Sequence, residues 1–473
     1  MNQLSPDLIQ RFISIVGSEG ILDDQKLISP YLTEERKIYH GTSPLVLLPS
    51  CTHEVSQILK LATETNTSIT PQGGNTGLVG GQIPRKNRKD IILSIKRMNR
   101  IRDIDLRSNT IAVDAGINLF NVQKIAEKNH RLFPLSLPSE KYCHIGGNLA
   151  TNAGGTAVLS YGNIRHLCLG IEAVLPTGDI WNGMHKLIKD NSRYDIRDLL
   201  IGSEGTLGII TGAVLRLLPY RTGKQVAFIA VNSLEQALQL LQLSQKTAGS
   251  MLTAFELISN FILKLVVKHI PNTFSPLSDT SPWYILLEIS STETLERAQN
   301  IANTILATGF NKKILTEWIL PSLDEEKNAI WCLRNNIPLA QKREGRSIKH
   351  DISVPIGQIP SFLQEVKKSV SSIFPKTRIG LFGHIGDGNI HFNVFPPTDE
   401  NQDEFLSLHW NTINNIVYSV VLSYGGSIAA EHGIGQLHKK RLEGILEPTE
   451  IKIMKKIKEI FDPAGIMNPG KFL

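Results

Sequence analysis

Two histidines in the C-terminal third of the chain have the spacing that a shared metal ion would need. Residues 382–394 read Phe-Gly-His-Ile-Gly-Asp-Gly-Asn-Ile-His-Phe-Asn-Val, with Asp387-Gly388 at the centre. Asp-Gly is typical of a two-residue type I′ hairpin turn. Such a turn predicts that His384 lies directly opposite His391, with Cβ atoms about 5 Å apart. Both imidazoles could then bind one ion, and Asn393 lies two residues further along the same face.

Glu431 is the candidate for a third metal ligand. Two imidazoles need a further ligand, preferably a carboxylate, to form an open catalytic site. Glu431 closes the apolar run in the segment Ser-Ile-Ala-Ala-Glu-His-Gly-Ile-Gly at 427–435. Each histidine taken singly is better explained as a hydrogen-bonded core residue. Together on one face of a glycine-rich hairpin, the two histidines favour a divalent metal.

Three glycine-rich segments predict a phosphate-bearing cofactor. The densest, 71–81, places five glycines in nine residues after a short strand at 68–70. Such a loop can point several backbone N–H groups into one concavity, which holds pyrophosphate without charged side chains. A glycine-rich surface loop is the alternative, and the further segments 146–155 and 202–208 make it less attractive. Neither the Rossmann nor the P-loop pattern is present.

The elements around these motifs predict an α+β protein with more than one domain, because 473 residues exceed what one core supports. We expect domains at 1–222, 223–424 and 425–473. The first mixes short Val- and Ile-rich strands with helices, and the second is an α/β domain with helices on one face of an antiparallel sheet. A surface loop is expected at 271–281, and the third domain is a C-terminal helical segment that completes the active site.

Composition and charge exclude several classes of protein. Hydrophobic residues make up 41% and charged residues 20%, as in ordinary globular proteins, and no run approaches the length of a membrane span. The net charge of +6 comes from scattered Lys and Arg, so nucleic acid is a weak interpretation. The four cysteines contain no Cys-x-x-Cys pair, and the N-terminus reads as a capped amphipathic helix rather than an export signal. We expect a soluble, cytoplasmic protein.

The first half of the chain resembles the FAD domain of the p-cresol methylhydroxylase (PCMH) and vanillyl-alcohol oxidase superfamily. The motifs are Pro-Gln-Gly-Gly-Asn-Thr-Gly at 71–77, Leu-Pro-Ser at 137–139, Ile-Gly-Gly-Asn at 145–148 and Ile-Gly-Ser-Glu-Gly-Thr-Leu-Gly at 201–208. The resemblance implies a PCMH-type FAD-binding fold. It also implies that FAD contacts Pro71, Gly73, Gly74, Asn75, Thr76, Gly77, Pro138, Ser139, Gly146, Gly147, Asn148, Asn152, Gly155, Glu204, Gly208 and Ile210.

The flavin is expected to be non-covalent. Family members with covalent flavin use a His or Cys, often a His within the glycine loop. Asn75 and Thr76 occupy that stretch here.

The histidine and glutamate motifs resemble the D-2-hydroxyglutarate and D-lactate dehydrogenase branch of this superfamily, to which the flavoprotein of glycolate oxidase is also related. That resemblance assigns His384, His391 and Glu431 to a metal, with zinc as the first candidate, and makes His432 the catalytic base. The C-terminal ending Phe-Asp-Pro-x-Gly-Ile-Met-Asn-Pro-Gly-Lys is also similar, and implies that Asn468 lies near the flavin.

Arg334 is the main candidate for substrate binding. It lies on the apolar stripe of a helical segment at 325–344, so it must meet an anion, either a protein carboxylate or a substrate. The pattern Trp331-x-x-Arg334 with Lys349 resembles the branch's substrate-carboxylate clamp. Enzymes acting on 2-hydroxyglutarate tend to carry Thr four residues after the Arg, whereas this chain has Pro338.

The implied reaction oxidises a D-2-hydroxy acid to the 2-oxo acid. The metal lowers the pKa of the substrate hydroxyl, His432 takes the proton, and a hydride passes to flavin N5. Arg334, Lys349 and Asn393 would bind the substrate. The electron acceptor is open among an electron-transfer flavoprotein, a quinone and a cytochrome, and a homodimer is an open option. The alternatives are a glycolate-type 2-hydroxy acid oxidase and a flavin-binding component of a larger redox complex.

Overall fold

The computed structural model describes residues 4–86, 90–278 and 280–473. The chain forms two compact units. The first comprises 1–155, 162–219 and 431–473, and the second comprises 156–161 and 220–430. The predicted α+β class and the antiparallel sheet of the second unit are confirmed, and the three predicted domain boundaries stay a prediction.

The first unit is built on two main sheets. One contains β1 (Ile21–Leu22), β2 (Val46–Leu47), β3 (Ile69–Gln72) and β4 (Ile91–Ser94), in the order β1-β2-β4-β3. The other is antiparallel, in the order β5-β6-β10-β8-β9, and a short pair joins β7 to β11; these strands are β5 (Ile101–Asp105), β6 (Thr110–Asp114), β7 (Arg131–Leu132), β8 (Cys168–Val174), β9 (Ile180–Gly183), β10 (Ile209–Arg216) and β11 (Leu218–Pro219).

The second unit holds one seven-stranded antiparallel sheet in the order β15-β12-β14-β13-β17-β18-β16. Its strands are β12 (Gly223–Val231), β13 (Leu252–Ser259), β14 (Trp283–Ser291), β15 (Glu317–Ile319), β16 (Ile348–Ser353), β17 (Arg378–Gly383) and β18 (Asn389–Phe395). Every residue of β13 and β14 is buried. Because successive residues of a strand point to opposite faces, both faces of the sheet are covered. The expectation of helices on one face only is wrong.

The α-helices in chain order are α1 (Pro6–Val16), α2 (Gln25–Ile28), α3 (Thr52–Glu64), α4 (Leu119–Lys128), α5 (Ile145–Ala150), α6 (Val158–Tyr161), α7 (Ile164–Leu167), α8 (Ile196–Leu200), α9 (Leu234–Ala248), α10 (Asn260–His269), α11 (Leu295–Asn311), α12 (Asp324–Asn335), α13 (Ile337–Glu344), α14 (Ile359–Ile373), α15 (Gln402–Ser423), α16 (Lys439–Leu442) and α17 (Pro448–Phe461). Short 3₁₀ turns occupy Ser18–Gly20, Ser29–Tyr31, Ile95–Arg97, Gly249–Met251 and Ile356–Gln358. No helix within the described ranges is long and apolar enough to cross a bilayer.

Local sequence accounts for the helix boundaries. Helix α1 begins as predicted, because the Ser5 hydroxyl accepts the Leu8 N–H at 3.2 Å and Pro6 needs no N–H partner in the first turn. The segment 325–344 is two helices rather than one: α12 ends at Asn335, and Pro338 lies in the first turn of α13, where proline is tolerated. The expected loop 271–281 has no helix or strand in its described residues, and Asp279 lies outside them.

Candidate active site

The hairpin of the second unit differs from the predicted one in its register. Strands β17 and β18 pair Phe382, not His384, with His391. The connection is therefore the five residues 384–388 rather than Asp387-Gly388 alone. The predicted type I′ turn and the direct pairing of the two histidines are wrong.

The loop has its own hydrogen bonds, which explain the longer connection. The Asp387 N–H donates to the His384 carbonyl at 3.1 Å, and the Asp387 carboxylate accepts the Asn389 N–H at 3.1 Å. The Val354 N–H donates to the Gly388 carbonyl at 3.2 Å, which ties the loop to the segment after β16. Two local hydrogen bonds and one tertiary hydrogen bond thus stabilise the five-residue loop over the two-residue turn that Asp-Gly favours.

The two histidines nevertheless lie together. His384 is the first residue of the loop after β17, and its ring still lies beside that of His391 on β18. The ring centroids of His384 and His391 are 5.8 Å apart, and each offers a ring nitrogen within 4.8 Å of the other's. Their side chains are 8% and 12% exposed. A close pair of shielded imidazole nitrogens is a donor set that fits zinc or a similar ion.

Glu256 on β13 binds His384 and Arg334 simultaneously. Its Oε1 lies 2.7 Å from His384 Nδ1, and its Oε2 accepts Arg334 Nε–H at 2.7 Å. Burial alone would raise the pKa of Glu256, but the charges of His384 and Arg334 and their hydrogen bonds hold that pKa below its ordinary value. A carboxylate can only accept, so the 2.7 Å contact places the proton of a neutral His384 imidazole on Nδ1 and leaves Nε2 as the nitrogen that could bind an ion.

Arg334 faces inward as predicted, and its partner is a protein carboxylate. Its Nη2 lies 3.5 Å from His384 Nε2, at the outer limit of hydrogen bonding, and its guanidinium carbon lies 5.2 Å from the Phe382 ring centroid. Because Glu256 engages Nε, the guanidinium is held in one plane. Its role as a substrate clamp stays a prediction.

Asp351 on β16 provides the second histidine with a carboxylate neighbour. It pairs with His391 in the register of β16 and β18, and its Oδ1 lies 3.8 Å from His391 Nδ1. The Asn389 amide donates to the same Oδ1 at 3.0 Å. The Asp351 carbonyl accepts the Ala430 N–H at 3.2 Å, and Glu431 follows Ala430 directly in the chain.

Asn393 and Lys349 are paired residues of β18 and β16. The Asn393 amide donates to Gln341 Oε1 at 2.7 Å, while its buried Oδ1 has no hydrogen-bond partner among the described residues. An unpaired buried oxygen is costly and marks a position where a ligand could donate a hydrogen bond.

The glycine loop of the first unit follows β3 and has the form of an anion cradle. Asn75 adopts φ +57°, and its side-chain amide donates to the Pro30 and Thr33 carbonyls at 3.0 Å each. Within residues 4–86, 90–278 and 280–473, the N–H groups of 74–77 donate to no backbone carbonyl. A run of unsatisfied amides in a glycine turn is the arrangement that binds phosphate.

The three predicted cofactor segments converge within this unit. A Cβ on Gly73 would lie 3.5 Å from the Gly147 Cα, and one on Gly74 would lie 1.9 Å from the Tyr142 carbonyl oxygen. A Cβ on Gly205 would lie 2.5 Å from Pro71 Cγ. No Cβ could be accommodated at Gly74 or Gly205, whereas the approach of Gly73 to Gly147 is an ordinary van der Waals contact. The close packing of the three segments fits a dinucleotide held by backbone groups.

The remaining predicted FAD residues surround these segments. Gly146 lies in α5 with Gly147 and the buried Asn148, and a Cβ on Gly155 would lie 2.1 Å from the Ser136 carbonyl oxygen. Asn152 adopts φ +49° and accepts the Arg165 N–H at 3.3 Å. Of the others, Pro138 and Ser139 lie in the loop after Leu137, and Thr76 and Gly77 lie in the glycine loop. Gly208 directly precedes β10, and Ile210 is the second residue of that strand.

Glu204 anchors the C-terminal segment that carries His432. Its carboxylate accepts the N–H groups of Ile434 at 2.7 Å and Gly435 at 2.8 Å. Burial raises the pKa of Glu204, and these two amides partly offset the rise. The carboxylate therefore fixes the backbone two residues after His432, a role that the sequence did not suggest.

Asn468 lies beside the strand that leads into the glycine loop. Its N–H donates to the Ile69 carbonyl at 2.8 Å, and its side-chain amide donates to the carbonyls of Gly81 at 3.0 Å and Glu204 at 2.8 Å. Its buried Oδ1 has no hydrogen-bond partner among the residues that the structure describes.

Three residues of this region were missed from the sequence. Glu256 and Asp351 each stand in a strand of mostly buried residues, which was a usable signal because a buried carboxylate needs a partner. His144 gave no signal in the sequence. A Cβ on Gly73 would lie 3.6 Å from the His144 Cβ, and burial, followed by the charge of Lys96, lowers the pKa of His144 to about 4.

Comparison with known proteins agrees with this geometry. Residues 222–472 match the family of FAD linked oxidases, C-terminal domain, and residues 43–183 match the FAD binding domain family. The mitochondrial D-2-hydroxyglutarate dehydrogenase of Arabidopsis thaliana is 33% identical over 466 residues, covering 98% of this chain and 81% of that protein. The enzyme of the same name from Danio rerio is 36% identical over 454 residues, covering 96% and 82%.

A solved structure shows the same fold. p-Cresol methylhydroxylase with substrate bound superposes with a TM-score of 0.78 at 15% identity, covering 98% of this chain and 96% of that chain. Fold and site together define a flavin-dependent oxidoreductase. The chain belongs to the p-cresol methylhydroxylase and vanillyl-alcohol oxidase superfamily, in its D-2-hydroxyglutarate and D-lactate dehydrogenase branch. It is an enzyme, an FAD-dependent D-2-hydroxyacid dehydrogenase, as predicted.

Proposed function

We propose that this enzyme oxidises D-2-hydroxyglutarate to the 2-oxo acid with a divalent metal, zinc as first candidate, beside a non-covalent FAD. The observation that carries the proposal is the pair His384 and His391, shielded from water and each beside a carboxylate. Histidines that bind metals usually donate their other ring nitrogen to a carboxylate or carbonyl. The names of the Arabidopsis and Danio relatives supply the substrate.

The chain's own groups have distinct roles in this reaction. FAD supplies a two-electron acceptor, and a divalent ion supplies a Lewis acid for the substrate hydroxyl. His384 and His391 would hold the ion together with Glu431. The assignment of Glu431 is supported by the preceding residue, Ala430, whose N–H donates to the carbonyl of Asp351, the strand neighbour of His391. His432 would take the hydroxyl proton, on a backbone fixed by Glu204.

Substrate binding falls to residues that present donors. Arg334 would bind a carboxylate through its Nη groups, since Nε is engaged by Glu256. Lys349 and Asn393 lie side by side in the sheet and would bind the rest of the acid.

D-lactate is the second candidate substrate, and Pro338 favours it. This residue is exposed in the first turn of α13 and has no N–H or hydroxyl to offer a distal carboxylate. A monocarboxylic acid would not need such a contact.

Anaerobic flavin bleaching tests the proposal directly. The FAD-loaded protein is mixed with D- and L-isomers of 2-hydroxyglutarate, lactate and malate, and with glycolate, and the absorbance of the oxidised flavin is followed. We expect D-2-hydroxyglutarate to bleach the flavin fastest. Faster bleaching by D-lactate would transfer the assignment to the second candidate, and no bleaching by any acid would contradict both. Peroxide formed in air at the rate of substrate loss would indicate an oxidase.

The non-covalent binding of FAD is a further part of the proposal. FAD should separate from acid-denatured protein, because Asn75 and Thr76 stand where covalent members carry their attachment residue. Flavin that stays with the precipitate would contradict this. The cytoplasmic location, the electron acceptor and the homodimer stay predictions.

A further inference from the structure

Glu256 lies in a buried strand, where an ionised side chain has a large desolvation cost. The eight residues of β13 are all buried, and the Glu256 side chain is 1% exposed. A carboxylate in such a place must be paired, and replacing a buried ion pair with apolar residues is often neutral for stability. Its position between His384 and Arg334 therefore needs an explanation beyond stability.

The two carboxylate oxygens serve two different groups. Oε1 holds the Nδ1 side of His384, and Oε2 holds Arg334 Nε, each at 2.7 Å. Arginine remains protonated and offers only donors, so Oε2 must accept. As the second oxygen of an ionised carboxylate, Oε1 accepts from Nδ1–H, which leaves the lone pair of the neutral His384 imidazole on Nε2. One side chain thus sets both the tautomer of a histidine and the plane of a guanidinium.

We propose that Glu256 is a positioning residue that couples metal binding by His384 to substrate binding by Arg334. This inference rests on the proposed function, which assigns the metal to His384 and the substrate carboxylate to Arg334. The carboxylate raises the basicity of His384 and presents Nε2 to the ion. It also holds the guanidinium so that its Nη groups remain for an anion.

The substitution Glu256→Gln separates this role from simple charge pairing. The Gln oxygen must face Arg334 Nε–H, because that group cannot accept. The Gln NH₂ group then faces His384 Nδ1 and favours the tautomer protonated on Nε2, which cannot bind a metal through that nitrogen. The amide keeps the volume of the carboxylate, so packing changes little.

Glu344 offers a matched control in the same unit. Its side chain is 8% exposed, and its Oε2 lies 2.7 Å from His269 Nε2. It also pairs with Arg378 and Lys268. A glutamate thus again joins a histidine and an arginine, here through His269 Nε2 and Arg378 Nη1 and with a lysine added. The proposed function gives none of these residues a role.

The experiment measures zinc affinity of FAD-loaded, chelator-stripped protein by competition with a chromophoric chelator. We expect the zinc Kd of Glu256→Gln to rise about 10- to 100-fold over wild type, and that of Glu344→Gln to stay within about 2-fold. With zinc saturating, KM for D-2-hydroxyglutarate should rise more than kcat falls. Wild-type zinc affinity in Glu256→Gln, or equal losses in both variants, would overturn the inference.

Two checks keep the result unambiguous. If Glu256→Gln loses FAD or its circular dichroism spectrum, the double variant Glu256→Gln/Arg334→Met removes the buried unpaired cation. Without Arg334 the amide can turn its oxygen to His384 Nδ1–H, so the reference for this variant is Arg334→Met. The zinc Kd of the double variant should exceed that of Arg334→Met because the charge of the carboxylate is lost, and equal Kd values in the two would overturn the inference. A wild-type protein that binds no zinc would instead contradict the metal in the proposed function, and the inference with it.

Discussion

The second unit contains two clusters in which a glutamate binds one histidine and one arginine, and they differ in their access to water. We name them the Glu256 cluster (Glu256, His384 and Arg334) and the Glu344 cluster (Glu344, His269, Arg378 and Lys268). In the Glu256 cluster every side chain is at most 8% exposed. In the Glu344 cluster the three side chains that bind Glu344 are 18% to 62% exposed.

This difference in exposure indicates which of the two clusters is suited to bind a metal and a substrate. Water screens the partners of the Glu344 cluster, so its bonds are of modest strength and can be replaced by solvent. In the Glu256 cluster the hydrogen bonds are shielded from water. They hold His384 in one tautomer and the Arg334 guanidinium in one orientation, and breaking one of them would strongly destabilise the protein. The residue types alone do not distinguish a structural charge network from a prepared site, whereas burial does.

The largest expected contrast is between the two histidines. His384→Ala should weaken zinc binding at least about 1,000-fold, roughly 4 kcal/mol, because one of three proposed ligands is lost. His269→Ala should keep the wild-type zinc Kd. Metal content after dialysis and chelator competition measure both. Equal zinc affinity in the two variants would remove the functional distinction between the clusters.

The two arginines should differ in their effect on stability. Arg334→Met leaves the buried Glu256 without its cation and should lower the free energy of unfolding by about 3 kcal/mol. Arg378→Met should cost about 1 kcal/mol or less, since Glu344 keeps Lys268, His269 and water. Urea unfolding of the FAD-loaded proteins measures both. Losses of the same size would show that burial does not separate the clusters.

Sequence alone predicted the cofactor half of the enzyme well. The glycine motifs are local, and each requires a backbone conformation or approach that few other residues allow. Gly74 faces the Tyr142 carbonyl, and Gly73 faces Gly147, so two of the predicted cofactor segments lie together. The family comparisons confirm the FAD-binding fold that these motifs predicted.

The second unit was predictable only in part, for physical reasons. The prediction of the hairpin register was wrong because the loop 384–388 has its own hydrogen bonds through Asp387 and a further one from Val354. These bonds outweigh the preference of Asp-Gly for a two-residue turn. The expected proximity of the two histidines was still right, because the loop brings the His384 ring beside that of His391. Glu256 was missed because its partners lie 78 and 128 residues away along the chain, beyond any local pattern.

The smallest expected effect concerns the pH dependence of the Glu344 cluster. Burial would raise the pKa of Glu344, but hydrogen bonds from Lys268, His269 and Arg378 outweigh it and lower that pKa to about 2. A carboxyl whose folded pKa lies below its ordinary value of 4.5 stabilises the fold above that value. This contribution is lost as the pH falls from about 4.5 towards 2.

Glu344→Gln should therefore be about 1 kcal/mol less stable than wild type at pH 7, a modest loss because the partners are partly exposed. The difference should shrink as the pH falls below about 4.5, where the wild-type carboxyl begins to lose its advantage. Urea unfolding at neutral pH and at a series of acidic pH values measures it. A difference that stays constant or grows towards acid would contradict the assignment, since the lost interaction would then not depend on the ionised carboxylate.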